Sequence, residues 1–138
     1  MNLMKLSLVL LLAAFTAFAA APLAQDEQEH PGWMKTAQAT AGSLRKNIEA
    51  KAAEDIAKNA ATMEEVFKKC EDFWTKRKTD DAIKWAQQSQ AAAKEIGEAA
   101  KGGDMDKAQA GLKSLMSNCA ACHTAHRERL PEGGFKIK

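Results

Sequence analysis

The sequence predicts an all-α fold, an antiparallel up-and-down four-helix bundle, and three observations support this. Proline occurs only at positions 22, 31 and 131, so the stretch between the last two lacks the residue that breaks helices. Apolar residues in that stretch recur every three to four positions, the period of one helix face. Alanine is abundant and β-branched residues are sparse, which favours helix over strand.

The first two helices are predicted from about Gly32 to Ala50 and from about Ala52 to Lys78, although neither glycine nor proline marks the boundary between them. Pro31 suits a first helical turn, because its missing N–H needs no partner there. The apolar stripes are Trp33, Met34, Ala37, Ala41, Leu44 and Ile48 in the first helix, and Ile56, Ala60, Met63, Val66, Phe67, Cys70, Phe73 and Trp74 in the second.

The third helix is predicted to begin at Thr79-Asp80, which is good N-cap chemistry, and to end at Gly102-Gly103. Asp104 then caps the fourth helix, which Pro131 and Gly133-Gly134 end. Its stripe comprises Met105, Ala108, Leu112, Leu115, Met116, Cys119, Cys122, His123 and Leu130. Because the links between these long helices are short, neighbouring helices are expected to run antiparallel.

The N-terminus has the form of a secretory signal peptide at residues 1–24. Lys5 supplies a positive charge before the apolar run Leu6–Ala20, and small residues follow, so cleavage is expected after Ala21 or Ala24. The apolar run is too short for a comfortable membrane span, which leaves an uncleaved anchor as the alternative. The mature chain is therefore expected to be exported, in a bacterium to the periplasm, without a stable membrane anchor.

The mature chain is predicted to form one domain over residues 25–131, followed by a tail at 132–138. The whole sequence carries 20 basic and 18 acidic side chains, interspersed along every segment. This pattern is typical of solvated helix faces and does not indicate a nucleic-acid partner. The oligomeric state is open, and a homodimer is one possible state.

Cys119, Cys122 and His123 form a C-x-x-C-H motif, the attachment signature of a c-type haem. Two thiols three residues apart on a helix lie on one face, where they can add to the two vinyl groups of one porphyrin. His123 follows Cys119 by four residues, so its imidazole lies on the same face and can bind iron. The motif predicts one covalently attached haem c with His123 as an axial ligand.

Two other kinds of site compete with this interpretation. A zinc site would need four ligands, and the available residues are Cys119, Cys122, His123 and His126. Four side chains of a single helix are poorly placed for tetrahedral coordination. A dithiol redox pair would require a βαβ context, which this chain lacks. The third cysteine, Cys70, is expected to be a buried small apolar residue, with an intermolecular disulfide as the alternative.

With these features the chain resembles the class II c-type cytochromes: cytochrome c-prime and its low-spin relatives of the c-556 type. The shared features are the signal peptide, four helices, one C-x-x-C-H near the C-terminus and an arginine four residues after its histidine, here Arg127. They span Gln25 to about Leu130. The resemblance implies that Arg127 pairs with a haem propionate, against the alternative of a solvated arginine at a helix end.

The position before Arg127 departs from the family pattern, which usually has an aromatic residue there. This chain has His126, a second imidazole near the haem edge, for which a surface or propionate-side position is expected. The three tryptophans, Trp33, Trp74 and Trp85, are expected to be packing residues, with Trp33 nearest the haem.

The sixth iron ligand determines the expected function. Low-spin members of the family use a methionine from the start of the first helix, and Met34 occupies that region. In an antiparallel bundle that helix start lies beside the end of the fourth helix. The alternatives are that Met34 is core filler and that His30, placed just before the helix, binds iron instead.

With His123 and Met34 as axial ligands, the expected protein is a one-electron carrier, not an enzyme, whose partners are other redox proteins. The alternative is a five-coordinate protein similar to cytochrome c-prime that binds small gases such as nitric oxide.

Overall fold

The predicted helices are present in the computed structural model, which describes residues 21–138. Within that range they are α1 (Ala21–Glu49), α2 (Ala53–Lys76), α3 (Asp80–Lys101) and α4 (Met105–His126). Each helix packs against the next, and α1 also packs against α4, so the bundle closes on itself. The prediction of an all-α four-helix bundle is confirmed. Apart from its last residues, the predicted signal peptide lies outside the described range.

Helix α1 is longer than predicted, because Pro31 lies inside it and its described part begins at Ala21 rather than Gly32. Proline inside a helix costs one backbone hydrogen bond, so other contacts must support this extension. Two ion pairs between α1 and the end of α2 provide this support. Asp26 lies 2.6 Å from Lys76, and Glu27 lies 2.9 Å from Arg77.

The turns between helices explain why no glycine marked the boundary between the first two. Lys51 has φ 55° and ends the turn after α1 in the left-handed region, where glycine is usual. Lys78 does the same after α2 with φ 54°, so that helix ends two residues before its predicted limit. Gly103, at φ 75°, takes this role after α3 as expected.

The two predicted N-caps behave differently. Asp104 caps α4, because its side chain accepts a hydrogen bond of 2.9 Å from the backbone N–H of Lys107. Thr79 stands at the N-cap position of α3, but its hydroxyl makes no capping bond. In the first turn of α3 the Asp81 carboxylate instead accepts from the backbone N–H of Ala82 at 2.8 Å.

The core is formed by apolar side chains of all four helices, and it includes most of the stripes predicted for α1, α2 and α4. Met63 is buried as expected, whereas Met116, which was also predicted to be buried, is 38% exposed. Helices α3 and α4 are tightly packed at Gly111, where an added Cβ would lie 2.7 Å from Cγ1 of Ile96. The largest fully buried apolar side chains are Leu44, Ile56, Met63, Phe73, Ile96 and Leu115.

The end of the chain differs from the prediction. Helix α4 stops at His126, and the following residues form an antiparallel hairpin of β1 (Arg127–Arg129) and β2 (Phe135–Ile137). Gly133 and Gly134 have positive φ and make its turn. Ile137 packs against the core, and the N–H of Lys138 donates to the carbonyl of His126 at 3.0 Å. The tail therefore folds back onto the bundle.

Among residues 21–138, no helix is both long enough and apolar enough to cross a membrane.

Candidate cofactor site

The C-x-x-C-H motif lies on the last two turns of α4, where the helix continues as far as His126. Cys119, Cys122 and His123 therefore share one helix face, as their spacing predicted. All three side chains are half-buried, and the two cysteines pack against the edge of the hydrophobic core. The motif thus lies at the boundary between the core and solvent.

The thiols of the motif are in an apolar environment. Burial raises the pKa of Cys119 to about 11, and burial together with the negative charge of Asp81 raises that of Cys122 to about 11. Cys70 of α2 is buried, as expected, and its pKa is raised to about 12, first by burial and then by Cys122 and Cys119. All three cysteines are free.

The surroundings of His123 favour its neutral form. Burial lowers its pKa, and the positive charge of Arg127 lowers it further. A neutral imidazole keeps a lone pair on one ring nitrogen, which iron ligation requires.

His30 is placed differently from the prediction, which put it just outside the first helix. It lies within α1, half-buried, and its ring centroid is 4.6 Å from that of Phe73 and 5.9 Å from that of Trp33. Its pKa is lowered to about 4, first by burial and then by the positive charges of Arg77 and His123. The structure therefore brings His30 into the electrostatic range of His123.

Met34 follows His30 by one helical turn, so the two side chains lie on the same face of α1. The Met34 side chain is half-buried and packs against the core. Both candidates for the sixth ligand lie on α1, which packs against α4, the helix that carries the motif. Trp33, which lies between His30 and Met34 in the sequence, is half-buried and packs against the Phe73 ring.

His126 is engaged by protein side chains. Its Nε2 lies 2.9 Å from Oδ1 of Asp81, and its ring centroid lies 5.0 Å from that of Trp74 and 6.1 Å from that of Trp85. The imidazole therefore packs near a tryptophan of α2 and a tryptophan of α3, where these two helices join.

Arg127 begins strand β1 instead of continuing α4. Its side chain is exposed, and its guanidinium carbon lies 3.9 Å from the centroid of the Phe135 ring. Arg127 is close enough to His123 to lower the pKa of that imidazole. Arg127 therefore lies near the motif with its guanidinium on the Phe135 ring, and its pairing with a haem propionate stays a prediction.

Arg77 is a residue of the site that the sequence did not reveal. It is half-buried, with 16% of its side chain exposed, and its guanidinium carbon lies 3.5 Å from the centroid of the Phe73 ring. The sequence pointed to Arg77 only through its position at the predicted end of the second helix, one helical turn after Phe73. Its partners belong to the extension of α1, which the sequence did not predict.

The donor set fits a c-type haem better than a zinc ion. Two half-buried thiols and one neutral imidazole on one helix face are the groups that covalent haem attachment uses. The four residues nominated for zinc do not converge, since the described residues contain no group of three or more His, Cys, Asp or Glu side chains able to hold a metal ion. His126 in particular is bound to Asp81.

Comparisons of the chain with protein-family models, with curated proteins and with solved structures each find no match. The resemblance to class II c-type cytochromes therefore remains a prediction from the sequence.

Proposed function

We propose that this chain is an exported monohaem c-type cytochrome that carries single electrons, with haem c attached through Cys119 and Cys122. The observation that supports this best is the placement of Cys119, Cys122 and His123 on one half-buried face of α4, beside the core. When bound, the haem supplies the reversible one-electron change of its iron.

Two side chains of the bundle are proposed as axial ligands. His123 would hold the iron through its neutral imidazole, and Met34 of α1 would supply the second ligand. Both residues are carried by long helices that pack against each other. A thioether ligand raises the reduction potential relative to a second imidazole.

The surrounding side chains keep water away from the site. Phe73 is fully buried, Trp74 is 5% exposed, and Trp33 packs against both Phe73 and the core. An apolar wall of this kind favours the oxidation state with the smaller charge and limits side reactions with solvent. No residue of the site is assigned a catalytic role.

Electron exchange is proposed to take place where the motif reaches the surface. Cys119 and Cys122 are half-buried while Ala120, between them, is exposed, so one edge of an attached haem would lie near solvent. Redox partner proteins would dock there transiently, over an interface of modest area.

The proposal is tested by producing the chain in a host that exports it and attaches c-type haem. The purified protein should carry one covalent haem by mass, and its reduced spectrum should show the sharp α band of low-spin iron. The Cys119→Ser, Cys122→Ser variant should carry none, whereas the Cys70→Ala control should keep it. A zinc-loaded protein without haem would contradict the proposal.

The spectrum also separates the electron carrier from its alternative. A broad high-spin spectrum in the covalently loaded protein would exclude methionine ligation. The five-coordinate, gas-binding protein similar to cytochrome c-prime would then replace the carrier.

A further inference from the structure

Arg77 holds a fixed positive charge at the motif end of the bundle. Among the Lys and Arg side chains that form ion pairs in the described residues, it is the least exposed, at 16%, against 45% for Lys76. Its guanidinium stacks on the Phe73 ring at 3.5 Å and donates to the Phe73 carbonyl at 3.2 Å. These contacts fix the position of the charge, because a planar guanidinium on an aromatic face has little freedom.

The same charge acts on the residues that face the motif. The Phe73 ring under Arg77 lies 4.6 Å from the ring of His30, one turn before Met34. Arg77 is the largest charged contributor to the lowered pKa of His30, and His123 is the next. Arg77 therefore lies within electrostatic range of the place where the axial ligands are proposed.

The counter-ion of Arg77 neutralises it only partly. Glu27 accepts its hydrogen bond at 2.9 Å, but the Glu27 side chain is 63% exposed, so water screens its charge. Arg77 also donates to the carbonyl of Leu23 at 3.4 Å. Cleavage of the signal peptide after Ala24 would remove this acceptor and leave Glu27 in place.

From these contacts we infer that Arg77 tunes the reduction potential of the proposed haem, stabilising the reduced iron through its half-buried charge. The inference rests on the proposed function. Reduction of Fe(III) to Fe(II) brings one electron from the redox partner and breaks no bond, so the site loses one positive charge. A fixed cation nearby favours that change, and low local polarity strengthens the effect. Arg77 acts through its positive charge and does not itself bind iron.

Lys76 is a matched control for this role. Like Arg77, it joins the end of α2 to the extension of α1, through Asp26 at 2.6 Å, and its loss changes the net charge equally. It differs in being more exposed, with 45% of its side chain accessible against 16% for Arg77. A purely structural role would make the two positions behave alike, whereas an electrostatic role would not.

The test measures the reduction potential of the covalently loaded protein at low ionic strength, by equilibration with redox mediators. Arg77→Gln should shift the oxidised-to-reduced ratio about tenfold toward the oxidised form, which is about 59 mV for one electron. Lys76→Gln should shift it less than about twofold, because water screens an exposed charge. Equal shifts in the two variants would overturn the inference.

Three further variants keep the test decisive. Arg77→Lys retains the positive charge, so its reduction potential should stay close to that of the unmodified protein. It loses the planar stacking on Phe73. Glu27→Gln removes the counter-ion, but because Glu27 is 63% exposed it should shift the ratio toward the reduced form by less than about twofold. Arg77→Met removes the charge and keeps an apolar contact with Phe73, so it replaces Arg77→Gln if that variant does not fold. An unchanged potential in Arg77→Met would overturn the inference.

The failures of the two proposals are distinguishable. A chain without covalent haem contradicts the proposed function and this inference with it. A loaded chain with a normal spectrum and an unchanged potential in Arg77→Gln contradicts only the role of Arg77.

Discussion

The imidazole of His126 lies 2.9 Å from the carboxylate of Asp81, and this contact joins the last turn of α4 to the first turn of α3. The same ring packs against Trp74 and Trp85. His126 therefore fills an aromatic position at the α2–α3 junction and also supplies a polar link that a hydrocarbon ring would lack. The link holds the end of the motif-bearing helix in place.

Replacing His126 should separate these two contributions. His126→Phe keeps a ring between the tryptophans and loses the polar link, so the free energy of unfolding should fall by about 1 kcal/mol or less. His126→Ala also removes the ring packing and should cost about 2 kcal/mol or more. Urea unfolding of both variants measures the difference. A larger loss in the phenylalanine variant would show that the link to Asp81 dominates.

The axial ligand can be identified by substitution on α1. Met34→Ala should convert the loaded protein to a high-spin spectrum and lower its reduction potential, because the iron loses its sixth ligand. His30→Ala should leave both nearly unchanged. Met105→Ala is the control, since Met105 is another methionine packed against the core, at the opposite end of α4. A high-spin spectrum in His30→Ala would instead identify His30 as the ligand.

The close approach of α3 and α4 should make Gly111 sensitive to a single methyl group. An alanine Cβ there would lie 2.7 Å from Cγ1 of Ile96, so side chains or backbone must shift. Gly111→Ala should lower the free energy of unfolding by about 1–3 kcal/mol, the usual cost of overpacking. Thermal or urea unfolding measures the effect.

Gly42 provides the control for this substitution. It lies inside α1, and an added Cβ there would meet no atom within 4 Å. Gly42→Ala should therefore raise stability by about 0.5–1 kcal/mol, the ordinary helix preference for alanine. Equal effects at the two positions would contradict the tight packing at Gly111.

His30 should make the haem-free fold sensitive to mild acid. Its pKa is about 4 in the folded chain and 6.5 as a model value, so between these values the unfolded chain binds the additional proton. Stability should therefore fall as the pH decreases from 6.5 to 4, by up to roughly 3 kcal/mol. Urea unfolding of the Cys119→Ser, Cys122→Ser variant at several pH values measures the slope.

His30→Phe in the same background should flatten part of this pH dependence. His123 has a lowered pKa as well, so its contribution has the same sign and remains in both variants. An unchanged slope after removal of His30 would show that its burial in the structure is not maintained in solution.

The two helix N-caps should respond unequally to alanine. Asp104→Ala removes a capping bond of 2.9 Å and should cost about 1 kcal/mol of unfolding free energy. Thr79→Ala removes a hydroxyl that makes no capping bond and should cost clearly less. Chemical denaturation of both variants tests this, and equal losses would contradict the difference.

Much of the fold and of the site was predictable because it depends on local patterns. The apolar stripes, the cap at Asp104 and the common face of Cys119, Cys122 and His123 follow from helical periodicity and spacing. The extension of α1 was missed because Pro31 predicts a helix start, whereas ion pairs to residues about 50 positions away support the helix beyond it. Such contacts leave no periodic signal in the sequence.

The sequence by itself therefore determined the all-α fold, the order of the helices and the residues of the predicted haem attachment. Only the tertiary structure decided the surroundings of that motif: His30 inside α1 and near His123, Arg77 stacked on Phe73, and the hairpin that begins at Arg127. The physical reason is that helix faces are set by neighbours a few residues apart. Burial and charge at the site are set by side chains that only the folded bundle brings together.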